Sequence, residues 1–264
     1  MLRWIANRIM LQPTRDLLDA GGKTRRLIAW NGGEIEVWTE TKLVPNAREP
    51  HCAVLKFPGM AGRAEWSGPS PLNRWDDVSG EVWSVNYPGF GGSSGSADVR
   101  LLAPVAETMW RAIRNAHPSA KILVNGNSLG ACLALFVAAR FPVDALILRN
   151  PPPIRNLIRE QRRYNWWNFG FGKRIVKYFP DELDPIANAA KTDSPALYVQ
   201  SQLDTLVPCA FQDRIITAHR GPKRVFAVRN ADHDTAMDDA ADAAYTPHLI
   251  WLKRMIFDHA DAEH

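Results

Sequence analysis

Apolar residues along this chain fall into short continuous runs, separated by amphipathic stretches and by breaks rich in glycine and proline. Runs such as Cys52-Ala53-Val54-Leu55-Lys56-Phe57 and Ala196-Leu197-Tyr198-Val199-Gln200-Ser201 have the length of strands buried on both faces. Strands are predicted near 52–57, 81–86, 120–125, 144–149, 196–201 and 223–228. Asn31-Gly32, set between Arg26-Leu27-Ile28-Ala29-Trp30 and Glu34-Ile35-Glu36-Val37-Trp38-Thr39, predicts an antiparallel hairpin at one edge and brings the total to eight strands. Helices are predicted near 98–116, 128–140, 209–219 and 236–258. Strands alternating with helices make this an α/β chain, with a mostly parallel sheet covered on both faces.

One junction between a strand and a helix carries chemistry. Lys121-Ile122-Leu123-Val124-Asn125 reads as a buried strand, and Ala131 to Arg140 as a helix packed on the sheet. Between them stands Gly126-Asn127-Ser128-Leu129-Gly130, a Gly-x-Ser-x-Gly elbow that lifts the serine hydroxyl clear of the backbone above a helix N-terminus. Ser128 is therefore the candidate nucleophile. A serine hydroxyl needs a base within hydrogen-bond reach, and the base needs a carboxylate to orient it. Of the seven histidines, only His233 follows a clear strand, Lys223 to Val228, and sits in a turn before a final helix. Asp204 occupies the loop after the preceding strand, where a carboxylate can meet an imidazole at the next strand end. Asp184, Asp232 and Asp234 are its rivals, the last two hampered by their closeness to His233 along the chain. An anionic intermediate needs donors as well, and the backbone N–H groups of Leu129 and Met60 are expected to supply them. Met60 follows Gly59 in the loop Pro58-Gly59-Met60-Ala61-Gly62 after the third strand.

With these residues in this order the chain resembles an α/β-hydrolase along nearly its whole length. The resemblance rests on the elbow, on the loop at 58–62, on Tyr87-Pro88-Gly89-Phe90-Gly91-Gly92-Ser93-Ser94-Gly95 after the fourth strand, on the loop around Asp204, and on His233. It departs from the family at Pro58, where His often precedes the glycine. The resemblance implies a single domain over 1–264, a small lid inserted after strand 6 at 151–194, and a triad of Ser128, Asp204 and His233 that works without a metal or organic cofactor. Leu11-Gln12-Pro13-Thr14-Arg15 and the Tyr-Pro-Gly-Phe loop are similar to monoacylglycerol lipases, acyl-protein depalmitoylases and serine aminopeptidase-like members. An ester or thioester of a small acyl substrate is the expected target. A peptidase or amidase using the same residues, and a ligand-binding protein that kept the fold, are the alternatives.

Composition sharpens this in one place. The net charge is only +4, but residues 151–180 carry seven basic side chains against Glu160 alone. The same stretch holds Tyr164, Trp166, Trp167, Phe169 and Phe171, and Trp166, Trp167 and Phe169 are expected to bind substrate. Aromatic rings with a basic flank also suit peripheral contact with an anionic membrane. So does the start, where Trp4, Ile5, Met10 and Leu11 with Arg3, Arg8 and Arg15 are read as a short interfacial helix. No nucleic-acid-reading module is evident, and no apolar run is long enough to span a bilayer. Three scattered cysteines give neither a disulfide framework nor a metal pattern, and no signal peptide is apparent. A reduced, cytoplasmic setting with peripheral membrane contact is expected.

Overall fold

All eight strands join one sheet in the computed structural model, which describes residues 2–45, 47–160 and 176–258. In chain order they are β1 (Thr24–Trp30), β2 (Gly33–Lys42), β3 (Cys52–Phe57), β4 (Gly80–Val85), β5 (Lys121–Asn127), β6 (Ala145–Arg149), β7 (Ala196–Ser201) and β8 (Lys223–Val228). Their order across the sheet is β1-β2-β4-β3-β5-β6-β7-β8. The β1–β2 and β2–β4 pairs are antiparallel and the remaining pairs parallel. Asn31 and Gly32 close the β1–β2 hairpin with φ of 47° and 75°, the left-handed pair that a tight turn of this twist requires.

The helices among the described residues are α1 (Leu2–Leu11), α2 (Leu102–Ala116), α3 (Leu129–Ala138), α4 (Ile154–Glu160), α5 (Pro185–Ala189), α6 (Cys209–Ala218) and α7 (Asp239–Phe257). Two begin later than their sequence pattern suggests because an aspartate caps them. Asp98 accepts the N–H of Arg100 and opens a 3₁₀ turn over Val99–Leu101 before α2, while Asp238 accepts from Ala241 and starts α7. The sequence pattern did not mark α4 or α5. Each has fewer than eight residues, too short for a periodic signal.

Strand geometry sorts the core into two layers. Ala53, Leu55 and Phe57 of β3 point to the side of α2 and α3, and Cys52 and Val54 to the side of α7. Burying Val54, Leu55 or Phe57 contributes about 1.5–3 kcal/mol apiece. Lys56 lies in the same buried strand. Its ammonium donates to the carbonyl of Gly68, and burial pushes its pKa down to about 8. At the N-terminus, α1 docks on the domain through Ala6 and Leu11, both buried, and leaves Trp4 (66% exposed) and Ile9 (49%) in solvent. Among the described residues no helix is long and apolar enough to cross a membrane.

His219, which ends α6, is buried, and both of its ring nitrogens are engaged. Nε2–H donates to the carbonyl of Ser194 at 2.9 Å, and Nδ1 accepts from the Tyr198 hydroxyl at 3.1 Å. That arrangement suits the neutral ring. Burial lowers the pKa of His219, with Lys223 adding to the shift, while the Ser194 carbonyl and Asp193 oppose it. A depressed folded-state pKa gives stability that is fully present above the unfolded value, about 6.5 for histidine, and is lost as pH falls towards the folded value. The melting temperature should therefore drop as pH goes from about 7 to 5, and His219→Gln should flatten that drop. An unchanged slope in the variant would refute the assignment.

Candidate active site

The sheet reverses its winding between β3 and β5, since β4 lies on one side of β3 and β5 on the other. Such a switch point opens a crevice at the carboxyl ends of the strands. The last pair of the β3–β5 register, Phe57 with Gly126, sets the elbow directly beside the loop that follows β3.

Backbone crowding explains the elbow's glycines. A Cβ on Gly126 would stand inside 3.0 Å of the main chain of Gly130 and Ala131, where strand and helix cross. One on Gly130 would enter the backbone of Phe57 and Pro58, so the second glycine serves the contact between α3 and the end of β3. Ser128 takes the turn at φ 49°, ψ −118°, a left-handed conformation held by its N–H to the carbonyl of Arg149 at 2.8 Å.

Two residues distant in sequence meet this serine. His233 Nε2 lies 2.9 Å from Ser128 Oγ, and its Nδ1 lies 2.7 Å from Asp204 Oδ2. All three residues are buried. With Nδ1–H committed to a carboxylate, Nε2 is left to accept the Oγ–H proton. Asp204 also behaves as a turn aspartate, because its Oδ1 accepts the N–H groups of Leu206 and Val207 at 2.9 and 2.6 Å. One oxygen anchors the loop while the other faces the imidazole. Two of the rivals are occupied elsewhere. Asp184 caps α5 through the N–H groups of Ile186 and Ala187, and Asp232 accepts from Thr205 and from the His233 N–H.

The N–H groups of Met60 and Leu129 have no protein acceptor among the described residues, whereas their neighbours Ala61 and Ala131 donate to Leu11 and Ser128. A Cβ on Gly59 would lie 3.3 Å from both the Asn127 carbonyl oxygen and Ser128 Cβ, which shows how closely this loop passes the serine. The Tyr87 hydroxyl holds the loop from below by donating to the Pro58 carbonyl at 2.7 Å.

Sequence reasoning missed Asn150. Fully buried just past β6, it adopts φ 46°, a conformation that asparagine tolerates better than most residues. Its amide donates to Ser201 Oγ and to the carbonyl of His233, at 3.0 and 3.1 Å, and its oxygen accepts the Ser201 N–H. It thus ties the histidine turn to β7. The isolated Asn before Pro151 was the available signal, but it does not name its partners.

Beside Ser128 lies an apolar cavity of about 280 Å³. Ile154, Leu157 and Ile158 of α4 form one side, and Phe179, Leu206 and Val207 another. Ile9, Met10 and Gln12 also line it, so the N-terminal segment borders the site. A larger, more open and polar hollow of about 720 Å³ flanks β1 and β2 between Asp19 and Trp66. It contains none of the converging residues, whereas Ser128 lines the smaller cavity. Trp166, Trp167 and Phe169 lie outside the described residues. Among the described residues no group of three or more His, Cys, Asp or Glu is placed to hold a metal ion.

Sheet order, elbow and convergent Ser, His and Asp define an α/β protein built on the hydrolase plan. Residues 53–184, half of the chain, match the α/β hydrolase fold family, and the chain belongs to it. The chain is 27% identical over 155 residues to an uncharacterized protein of Mycobacterium tuberculosis, a match covering 58% of this chain and 53% of that protein. The chain thus spans about half the length of the curated relatives it matches. Among solved structures it is similar to an esterase of Pyrococcus furiosus, with TM-score 0.66, 14% identity, and 94% of this chain and 97% of that one covered. A monoacylglycerol lipase of Paleococcus ferrophilus gives TM-score 0.61 and 14% identity over 83% and 99% of the two chains. An acylaminoacyl peptidase of Pyrococcus horikoshii gives 0.67 and 12% over 88% and 41%. At such identities the likeness is one of fold.

Proposed function

We propose that this protein is a serine hydrolase that cleaves a carboxylic ester or thioester through an acyl-enzyme on Ser128. The observation that carries the reading is the unbroken relay from Ser128 Oγ through His233 to Asp204, at 2.9 and 2.7 Å. In the first step Oγ attacks the acyl carbonyl while His233 Nε2 takes its proton, and Asp204 stabilises the imidazolium that forms. The carbonyl oxygen gains the charge and lies against the N–H groups of Met60 and Leu129, the latter at the N-terminus of α3. Each such donor contributes about 3 kcal/mol to lowering the barrier. His233 then returns the proton to the departing alcohol or thiol. In the second half it draws a proton from water, which attacks the acyl-enzyme, and returns that proton to Ser128 Oγ as the acid leaves.

The apolar lining of the cavity supports an acyl group as the part of the substrate held there. From the segment 151–194, Ile154, Leu157, Ile158 and Phe179 line the cavity. Expected results are covalent labelling of Ser128 by a fluorophosphonate probe and faster turnover of p-nitrophenyl acyl esters than of aminoacyl anilides. A faster anilide rate would transfer the reading to a peptidase with the same residues. Folded protein that leaves Ser128 unlabelled, while control hydrolases react, would favour ligand binding without catalysis.

A further inference from the structure

The N-terminal segment is joined to the loop bearing Met60 at several points. The Leu11 carbonyl, at the end of α1, accepts the N–H of Ala61 at 2.9 Å. Gln12 turns the chain at φ 50°, and its amide reaches the Met60 sulfur at 3.7 Å. Beyond it, the buried Arg63 donates from Nη1 to the carbonyls of Thr14 and Asp16 at 3.2 and 3.1 Å, while its Nε and Nη2 hold Glu65. Asn86 in turn donates to Glu65 at 2.9 Å, and the Thr14 carbonyl also receives the N–H of Gly91 at 3.0 Å. Breaking the charge-assisted contacts of the buried Arg63 leaves groups without partners, so the segment and the loop hold one position together.

Met10 sits just before this pinned stretch, half-buried against the main core and facing the cavity next to Ser128. A wall fixed through its backbone passes a change of side-chain size on to the space it encloses instead of yielding. We propose that Met10 sets the length of acyl chain this site accepts, which makes the N-terminal segment a specificity element of the pocket. The inference rests on the acyl-binding reading of the cavity. With a volume of about 280 Å³, and about 30 Å³ for each group the size of a water molecule, the cavity takes roughly nine chain carbons. The unbranched, pliable methionine makes that limit gradual.

The test uses Ser128→Ala protein, so that binding is read without turnover. Straight-chain alkanoates from about four to twelve carbons are titrated calorimetrically, with Met10 intact, as Met10→Ala and as Met10→Trp. With Met10 intact, affinity should climb about fourfold per carbon and level off near nine carbons. The plateau should come at least two carbons earlier in Met10→Trp and later in Met10→Ala. Circular dichroism checks that each variant is folded, and Met10→Ala alone decides if the tryptophan variant is not. A plateau at the same carbon in every folded variant would overturn the role of Met10, as would the absence of any saturable binding. Because no catalysis is involved, this failure is separate from that of the hydrolase reading, which fluorophosphonate labelling of the unaltered protein reports.

Discussion

Replacing Ser128 with alanine should reduce kcat on a p-nitrophenyl ester by on the order of 10⁵–10⁶-fold, with the melting temperature almost unchanged. The reason is the division of labour in the relay. Without Oγ the imidazole has nothing to deprotonate except water, and no acyl-enzyme forms. His233→Ala should do similar damage, because an unassisted hydroxyl is a poor nucleophile at neutral pH. The double variant should be barely worse than either single one, since each removes the same step. Asp204→Asn should cost roughly 10⁴-fold. Asp204 Oδ2 is the acceptor that keeps the proton on Nδ1, and an amide nitrogen placed there would favour the wrong tautomer. Steady-state kinetics with each variant checks this. Turnover by Ser128→Ala within tenfold of the parent, or singles whose effects multiply in the double, would show that hydrolysis runs by another route.

Gly130→Ala should be the most destabilising conservative change near the site, with a loss above about 3 kcal/mol. The methyl would fall inside 3.0 Å of Phe57 O, Phe57 C and Pro58 O, all main-chain atoms that no rotamer change can move aside. Relief requires shifting α3 from β3, and with it the elbow. For a chain of this size the loss corresponds to a fall of about 6–12 °C in melting temperature. Gly68→Ala is the control, because a methyl there meets nothing within 4 Å. Calorimetry that finds Gly130→Ala melting within about two degrees of the parent would mean the helix and strand can part easily, contrary to the packing described.

Much of this was legible in the chain because it is written in local patterns. Buried strands are short apolar runs, the hairpin is Asn31-Gly32, and the elbow is five consecutive residues bounded by a strand and a helix. Asp204 was legible as a strand-end carboxylate, and the structure adds a turn role on its other oxygen. Other features depend on partners far away in sequence. Asn150 acquires its place only when β7 and the histidine turn close around it. The ten residues of α1 are too few to be stable as an isolated helix, so their contact with the cavity exists only through docking. In the sequence Met10 reads as one of the apolar residues of an interfacial segment, and that signal says nothing of its facing the cavity beside Ser128. Asn86, Glu65 and Arg63 are unremarkable in the linear text because a polar residue's burial is a tertiary fact.

The placement of the three cysteines has a practical side. Cys52 and Cys132 are wholly enclosed, and enclosure pushes both thiols up, that of Cys52 to about 12. Cys209, at the head of α6, is the one within reach of reagents. Burial and the nearby Asp213 and Asp204 raise its thiol too, so alkylation there should proceed best in alkaline buffer. A single fluorophore or spin label can thus be installed without engineering, five residues from the carboxylate that faces His233, where it would watch that loop as substrate arrives.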